Sequence, residues 1–248
     1  MPDDRTAPAP PAGEHPHEPH SDGRNNRLNS LRAFVLGAND GIVSVAAVVV
    51  GVAGATQGIG PIATAGLAAL VGGAISMALG EYVSVSSQRD SQRTMIAKEK
   101  AELHAMPDEE LGELAQIYQD KGLSPQTARQ VAVELTEHDA LTAHLDAELN
   151  IDPGDVVSPW GAASASAIAF TVGGLLPFLA AVLVPEPYRV PVTFAIVLVA
   201  LALAGISGAR LGRTSWPRPT VRVVLGGALA LAVTFGLGSL LGTTGVAG

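Results

Sequence analysis

Long apolar runs alternate with polar stretches along this chain, and the runs exceed what the core of a small soluble domain requires. Between Arg32 and Glu81 the only charged residue is Asp40, and Trp160 to Leu183 contains none. A helix needs about 20 consecutive apolar residues to cross the hydrocarbon layer of a bilayer. The pattern therefore predicts five spanning helices, near residues 33–55, 62–83, 161–184, 190–209 and 223–245. The first is read as a span rather than a cleaved leader, because a polar stretch of about thirty residues precedes it and the run is too long.

The polar stretches carry their own helix signals. From Pro61 to Pro107 there is no proline, and no glycine between Gly80 and Pro107, so the second span is expected to continue as one helix beyond the membrane. Pro107 suits the first turn of a second helix that Gly122 ends, and Ser124–Pro125 opens a third that closes near Asn150. The expected architecture is an all-α membrane protein with five transmembrane helices and a cytosolic three-helix domain inserted between helices 2 and 3. Its divisions are a tail (1–30), helices 1–2 (31–87), the insert (88–155) and helices 3–5 (156–248). The tail contains "APAPPAGEHPHEPHSDG", proline-rich and without aromatics, and is expected to be disordered. Its His15, His17 and His20 are read as solvated, with loose metal contact as the sharper alternative.

Composition agrees with a membrane protein, since only 15% of the residues are charged, against roughly 25% in a typical soluble domain. Cysteine is absent, which excludes disulfides and thiolate metal sites. Arginine supplies twelve of the fifteen basic residues, and the spans are rich in Ala and Gly, a hint of a bacterial source and hence of a plasma membrane. Arg24, Arg27 and Arg32 precede span 1, six basic residues lie between spans 2 and 3, and four lie at the junction of spans 4 and 5. By the positive-inside rule the N-terminus and the insert are cytosolic, and the C-terminus lies on the far side. Residues 88–155 hold fifteen acidic against six basic residues, a net of −9, while the whole chain carries −8. Nucleic acid is thereby disfavoured as a partner, because its phosphates would be repelled, and cations are favoured.

The carboxylates are placed in patterns. Asp40 lies about 10 Å into span 1 at 1.5 Å per residue, where an unpartnered carboxylate is costly enough that a functional role is the default reading. A structural role beside Asn39 is the alternative. Met77, in "GGAISMALGEYVSVSSQRD", is expected at a similar depth in span 2. Glu81 follows it, at the mouth of a pathway or merely at the interface. Gly37 and Gly41 would allow another helix to approach closely. In the continuing helix Met95, Glu99 and Glu102 share one face at i, i+4 and i+7. Glu110 and Glu113 share a face of the next helix, and His144 and Glu148 a face of the third, with Glu137 on the same stripe. Three carboxylate-bearing helices can form a pocket for hard or borderline divalent ions. Solvated acidic faces, and Glu109 and Glu110 favouring a helix N-terminus, are the competing explanation.

Together these residues resemble the vacuolar iron transporter family. "ANDGIVS" in span 1, "SMALGEYVSVSSQ" in span 2, two Glu-x-x-Glu pairs eleven residues apart and "AHLDAELNID" before span 3 carry the resemblance, which extends from about residue 30 to the C-terminus. It implies a homodimer that exports Fe²⁺, and with it Mn²⁺, Co²⁺ or Zn²⁺, from the cytosol in exchange for protons, with no prosthetic group and no enzymatic activity. It also implies that Asp40 and Met77 are ligands in the translocation path, and that Glu99, Glu102, Glu110, Glu113 and Glu148 bind metal in the insert. Where the family's best-known members place two methionines before the last glutamate, this chain has His144 and Leu145. Imidazole in place of a thioether shifts preference toward harder or more borderline ions. Two other classes compete. A membrane-anchored ferritin-like oxidase or store predicts Glu-x-x-His pairs, which the insert lacks. A membrane-anchored metal sensor leaves Asp40 without a purpose.

Overall fold

A computed structural model describes residues 22–151 and 158–244, with side chains described from Phe34 onward except Leu36. These residues form seven helices: α1 (Asp22–Ala55), α2 (Ile59–Ala105), α3 (Pro107–Asp120), α4 (Pro125–Ala147), α5 (Pro159–Leu183), α6 (Arg189–Leu211) and α7 (Pro217–Thr243). Five of them, α1, α2, α5, α6 and α7, are long and apolar enough to cross a membrane. At 1.5 Å per residue the 47 residues of α2 extend about 70 Å. That is more than twice the ~30 Å apolar layer, so α2 continues well beyond its apolar part as one unbroken helix.

Helix boundaries follow the local chemistry. Pro107 occupies the first turn of α3, and Gly122 follows its end at φ 104°, a left-handed conformation that costs glycine little. Ser124 caps α4 by accepting a hydrogen bond from the Thr127 amide at 3.3 Å. Asn150, at φ 50°, turns the chain after α4. Two expectations need correction. The tail does not remain irregular to residue 30, because α1 begins at Asp22; the last proline of the tail is Pro19, so no proline ring blocks a helix after it. The rest of the tail, including its three histidines, lies outside the described residues. Helix α7 begins at Pro217 rather than near 223, since proline fits a first helical turn and the stems of Arg218 and Arg222 can reach toward the interface.

The chain divides into two compact units: one runs to Val71 and resumes at Ala169, and the other covers Gly72–Ile168. In the first, α1 supplies part of the core, with Val45, Ala46 and Val49 fully covered. Its close crossing with α5 is made by glycine. A Cβ on Gly41 would collide with the Phe170 carbonyl of α5, and one on Gly173 with the Ala38 carbonyl of α1, so only bare backbone permits this approach. On α7, Leu225, Leu229, Val233 and Leu237 are exposed at intervals of four. So continuous an apolar stripe suits lipid rather than water.

The second unit holds the polar end of α2 with α3 and α4. Leu114 and Ala115 of α3 pack with Ala132 of α4 in a small core that Leu111, Tyr118, Leu135, Ala143 and Ala147 extend. The Tyr82 and Trp160 rings lie 4.8 Å apart, aromatic side chains of the kind that favour a membrane interface.

Candidate metal centre

The apolar part of α2 ends near Tyr82, and the helix turns polar before it reaches Glu99. Lys98 and Glu102 pair at 2.8 Å on its exposed side, a contact that adds little stability. Glu99 faces inward and is only 3% exposed. In α3 three acidic residues occupy the first turn, where the helix dipole favours negative charge; of these Glu110 turns inward and is buried. His144 of α4 is completely enclosed.

These side chains converge. His144 Nδ1 lies 2.9 Å from Glu99 Oε1, 3.6 Å from Glu110 Oε2 and 4.0 Å from Glu148 Oε2. One donor atom each from Glu99, His144 and Glu148 lie within 4.8 Å of one another. Yet Glu99 Oε1 and both ring nitrogens of His144 have no partner in hydrogen-bonding geometry. Buried polar atoms are normally satisfied, since leaving one unpaired costs about 1–3 kcal/mol. A cation close to the Glu99 carboxylate and the lone pair of one imidazole nitrogen would satisfy both.

The electrostatics point the same way. Burial pushes the Glu99 carboxyl up to about 7, and the negative charges of Glu148, Glu110, Glu102 and Glu113 push in the same direction. Glu110 is raised by burial and then by Glu113, Glu102 and Glu148, with Lys98 opposing. Burial lowers His144, against the pull of Glu148 and Glu113. The imidazole is therefore neutral near pH 7 and keeps a lone pair for coordination. A cluster of crowded carboxylates beside a neutral imidazole attracts either protons or a divalent cation.

The residues singled out from the sequence are thus sorted. Glu99, Glu110, His144 and Glu148 come together, whereas Glu102 is half-buried, Glu113 is exposed, and both act on the cluster through charge. Met95 is half-buried with no polar role evident. Glu137 does not join the His144 stripe: it is exposed, because α4 leaves helical geometry at Asp139 (φ −161°, ψ 94°). In the first unit Asp40 is exposed on α1 and accepts a hydrogen bond from Ser44 Oγ at 3.3 Å. Met77 and Glu81, in the second, are half-buried on α2.

Sequence reasoning missed two residues. Asp139 accepts from the Thr142 amide at 3.1 Å and from its hydroxyl at 2.8 Å, the pattern of a helix N-cap; the D-x-x-T spacing was its signal, hidden inside a long helical stretch. These bonds lower its carboxyl below the usual range. Arg189 is buried, and its Nη1 donates to the Gln57 carbonyl at 3.1 Å, tying the turn between α1 and α2 to the start of α6. No sequence signal marks that contact.

Five long apolar helices, with a group of donor atoms able to hold a divalent ion outside the apolar runs, define an integral membrane protein that carries a candidate cation site. Residues 31–239 match the VIT family, and the chain belongs to that family. It is 42% identical over 217 residues to a vacuolar iron transporter of Acanthamoeba castellanii, covering 87% of this chain and 80% of that one. It is similar also to vacuolar iron transporter homolog 2.1 of Arabidopsis thaliana, 34% identical over 88% of this chain and 84% of the relative. With vacuolar iron transporter homolog 5 of Oryza sativa the identity is 38%, over 89% and 84%. These relatives come from an amoeba and two plants and bear a vacuolar name, so they lend no support to a bacterial plasma membrane.

Proposed function

We propose that this chain is a secondary transporter that moves Fe²⁺, and with it other first-row divalent ions, out of the cytosol in exchange for protons. The observation that carries this reading is the convergence of Glu99, His144 and Glu148, whose donor atoms lie within 4.8 Å while Glu99 Oε1 and both His144 nitrogens make no hydrogen bond, even with Nδ1 and Oε1 2.9 Å apart. The names of the relatives support iron as the cargo.

In this reading residues 88–155 form a cytosolic capture domain. Their net charge of −9 raises the local concentration of cations. Glu110 joins the three convergent ligands, and Glu102 and Glu113 add outer carboxylates. Imidazole and carboxylate donors suit Fe²⁺, Mn²⁺, Co²⁺ and Zn²⁺. Asp40, Met77 and Glu81 carry the ion across, and Asp40 takes up a proton on the return. A carboxylate that accepts either a divalent ion or protons couples the two flows without ATP or a prosthetic group. Two copies pair through α2, where Gly72, Ser76, Gly80 and Ser84 are exposed in one small-residue row, the kind of surface that lets helices associate in lipid. The basic residues support an orientation with the N-terminus inside and the C-terminus on the far side.

Metal uptake into proteoliposomes under an imposed pH gradient tests the proposal. Accumulation that rises with the gradient and collapses with a protonophore is expected. Metal that binds without crossing would identify a store or a sensor instead.

A further inference from the structure

Asp139 is not a ligand, but it controls which face of α4 looks inward. In an unbroken helix of 3.6 residues per turn, Ala128, Ala132, Leu135, Asp139, Thr142 and Asp146 fall on one stripe, and His144 lies about 120° around the axis from Ala132. Ala128 and Ala132 are indeed buried. Beyond the break the stripe is abandoned: Thr142 and Asp146 are exposed, while His144 and Leu145 are fully covered. Where the stripe parts from α3, a cavity of about 350 Å³ opens between Tyr118, Leu135, Asp139, Thr142 and Asp146. Asp139 is the residue of α4 with non-helical dihedrals, and both of its carboxylate oxygens are engaged by Thr142.

We propose that Asp139 is a positioning residue for metal capture: by capping a new helical segment at Thr142 it rotates α4 so that His144 and Glu148 meet Glu99. The argument is steric and local. Asp, Asn and Ser favour the extended N-cap conformation because their side chains replace the missing backbone partner of the next turn. Alanine at this position prefers to continue the helix, and a continuous α4 would carry His144 away from Glu99 and press the stripe containing Asp146 against α3. The proposal rests on the metal-capture reading above for its functional consequence, but not for its structural content.

The test uses the full chain in detergent, with Co²⁺ as the probe. Asp139→Ala is expected to bind Co²⁺ at least roughly tenfold more weakly, as removal of an orienting partner does in other metal sites. It should also lose the imidazole contribution to the Co²⁺ spectrum while overall helicity is kept. Asp139→Asn preserves the cap and is expected to restore both. Thr142→Ala removes only the hydroxyl bond, so it folds if Asp139→Ala does not, and a smaller loss in the same direction is expected. Wild-type affinity and spectrum in Asp139→Ala, or no change in Thr142→Ala where the former fails to fold, would overturn the proposal. If the wild-type chain itself binds no Co²⁺, the capture reading fails separately. Hydrogen exchange at the amides of Ala140 and Leu141, the first-turn donors after the Asp139 cap, then decides the structural part in the metal-free chain. Slower exchange in Asp139→Ala, where a continued helix would supply their carbonyl partners, that Asp139→Asn reverses supports it, and unchanged exchange sinks it.

Discussion

At the scale of single residues, the proposed centre would set protons and metal in competition for the same cluster of side chains. Glu99, with its carboxyl raised to about 7 from 4.5, is protonated in both folded and unfolded chains below the lower value. Between the two values the folded chain binds more protons than the unfolded one, so metal-free stability falls as pH rises toward 7 and levels off above it. At about 1.4 kcal/mol per unit the penalty is on the order of 3 kcal/mol. Glu99→Gln is therefore expected to raise the thermal midpoint of the metal-free protein at pH 8 and to leave it nearly unchanged at pH 4, as calorimetry would read. Metal binding should tighten from pH 5.5 to 7.5 in the wild type and respond less to pH in the variant, measured by Co²⁺ titration. His144 sets a different property. His144→Met replaces a borderline nitrogen with a soft thioether, so competition between Co²⁺ and Cd²⁺ should move several-fold toward Cd²⁺; identical profiles would remove the imidazole from the coordination shell.

At the scale of helices, glycine decides how closely α1 and α5 approach. An alanine methyl at Gly41 has no room against the Phe170 carbonyl, whereas Gly226 and Gly236 have nothing within 4 Å. Backbone cannot yield as a flexible side chain can, and overpacking of this kind costs about 1–3 kcal/mol. Gly41→Ala should accordingly lower the detergent thermal midpoint by several degrees, while Gly226→Ala and Gly236→Ala should not. Equal midpoints for all three would show that α1 and α5 are not in contact in the membrane. The long helix α2 illustrates the opposite economy: the absence of proline after Pro61 and of glycine after Gly80 keeps it continuous to Ala105.

At the scale of the whole molecule, capture and passage separate onto different residues in our proposal. Asp40 is the only charge between Arg32 and Glu81, so no neighbour in that stretch can take over an ion or a proton. Asp40→Asn keeps shape and hydrogen bonding, including a partner for Ser44, but removes charge and titration. It should bind Co²⁺ with wild-type affinity and yet fail to drive metal into proteoliposomes down a pH gradient. Transport at the wild-type rate in that variant would remove Asp40 from the pathway.

Apolar run length and helix punctuation determined much of this protein directly. Five long helices, the continuity of α2, and the starts of α3 at Pro107 and of α4 at Ser124–Pro125 all depend on short-range chemistry that a single sequence displays. The acidic face of α2 and the pairing of His144 with Glu148 were legible for the same reason, because residues four apart on a helix share a side. Only the tertiary structure decided which carboxylates leave water: Glu99 and Glu110 are buried while Glu113 remains exposed, and helical spacing cannot distinguish a face packed on a neighbour from one facing solvent. Nor could periodicity reveal that Glu137 drops off the stripe at Asp139, or that Arg189 reaches Gln57 across more than a hundred residues of chain. Contacts between distant segments depend on the packing of whole helices, and that information is not written at any one position.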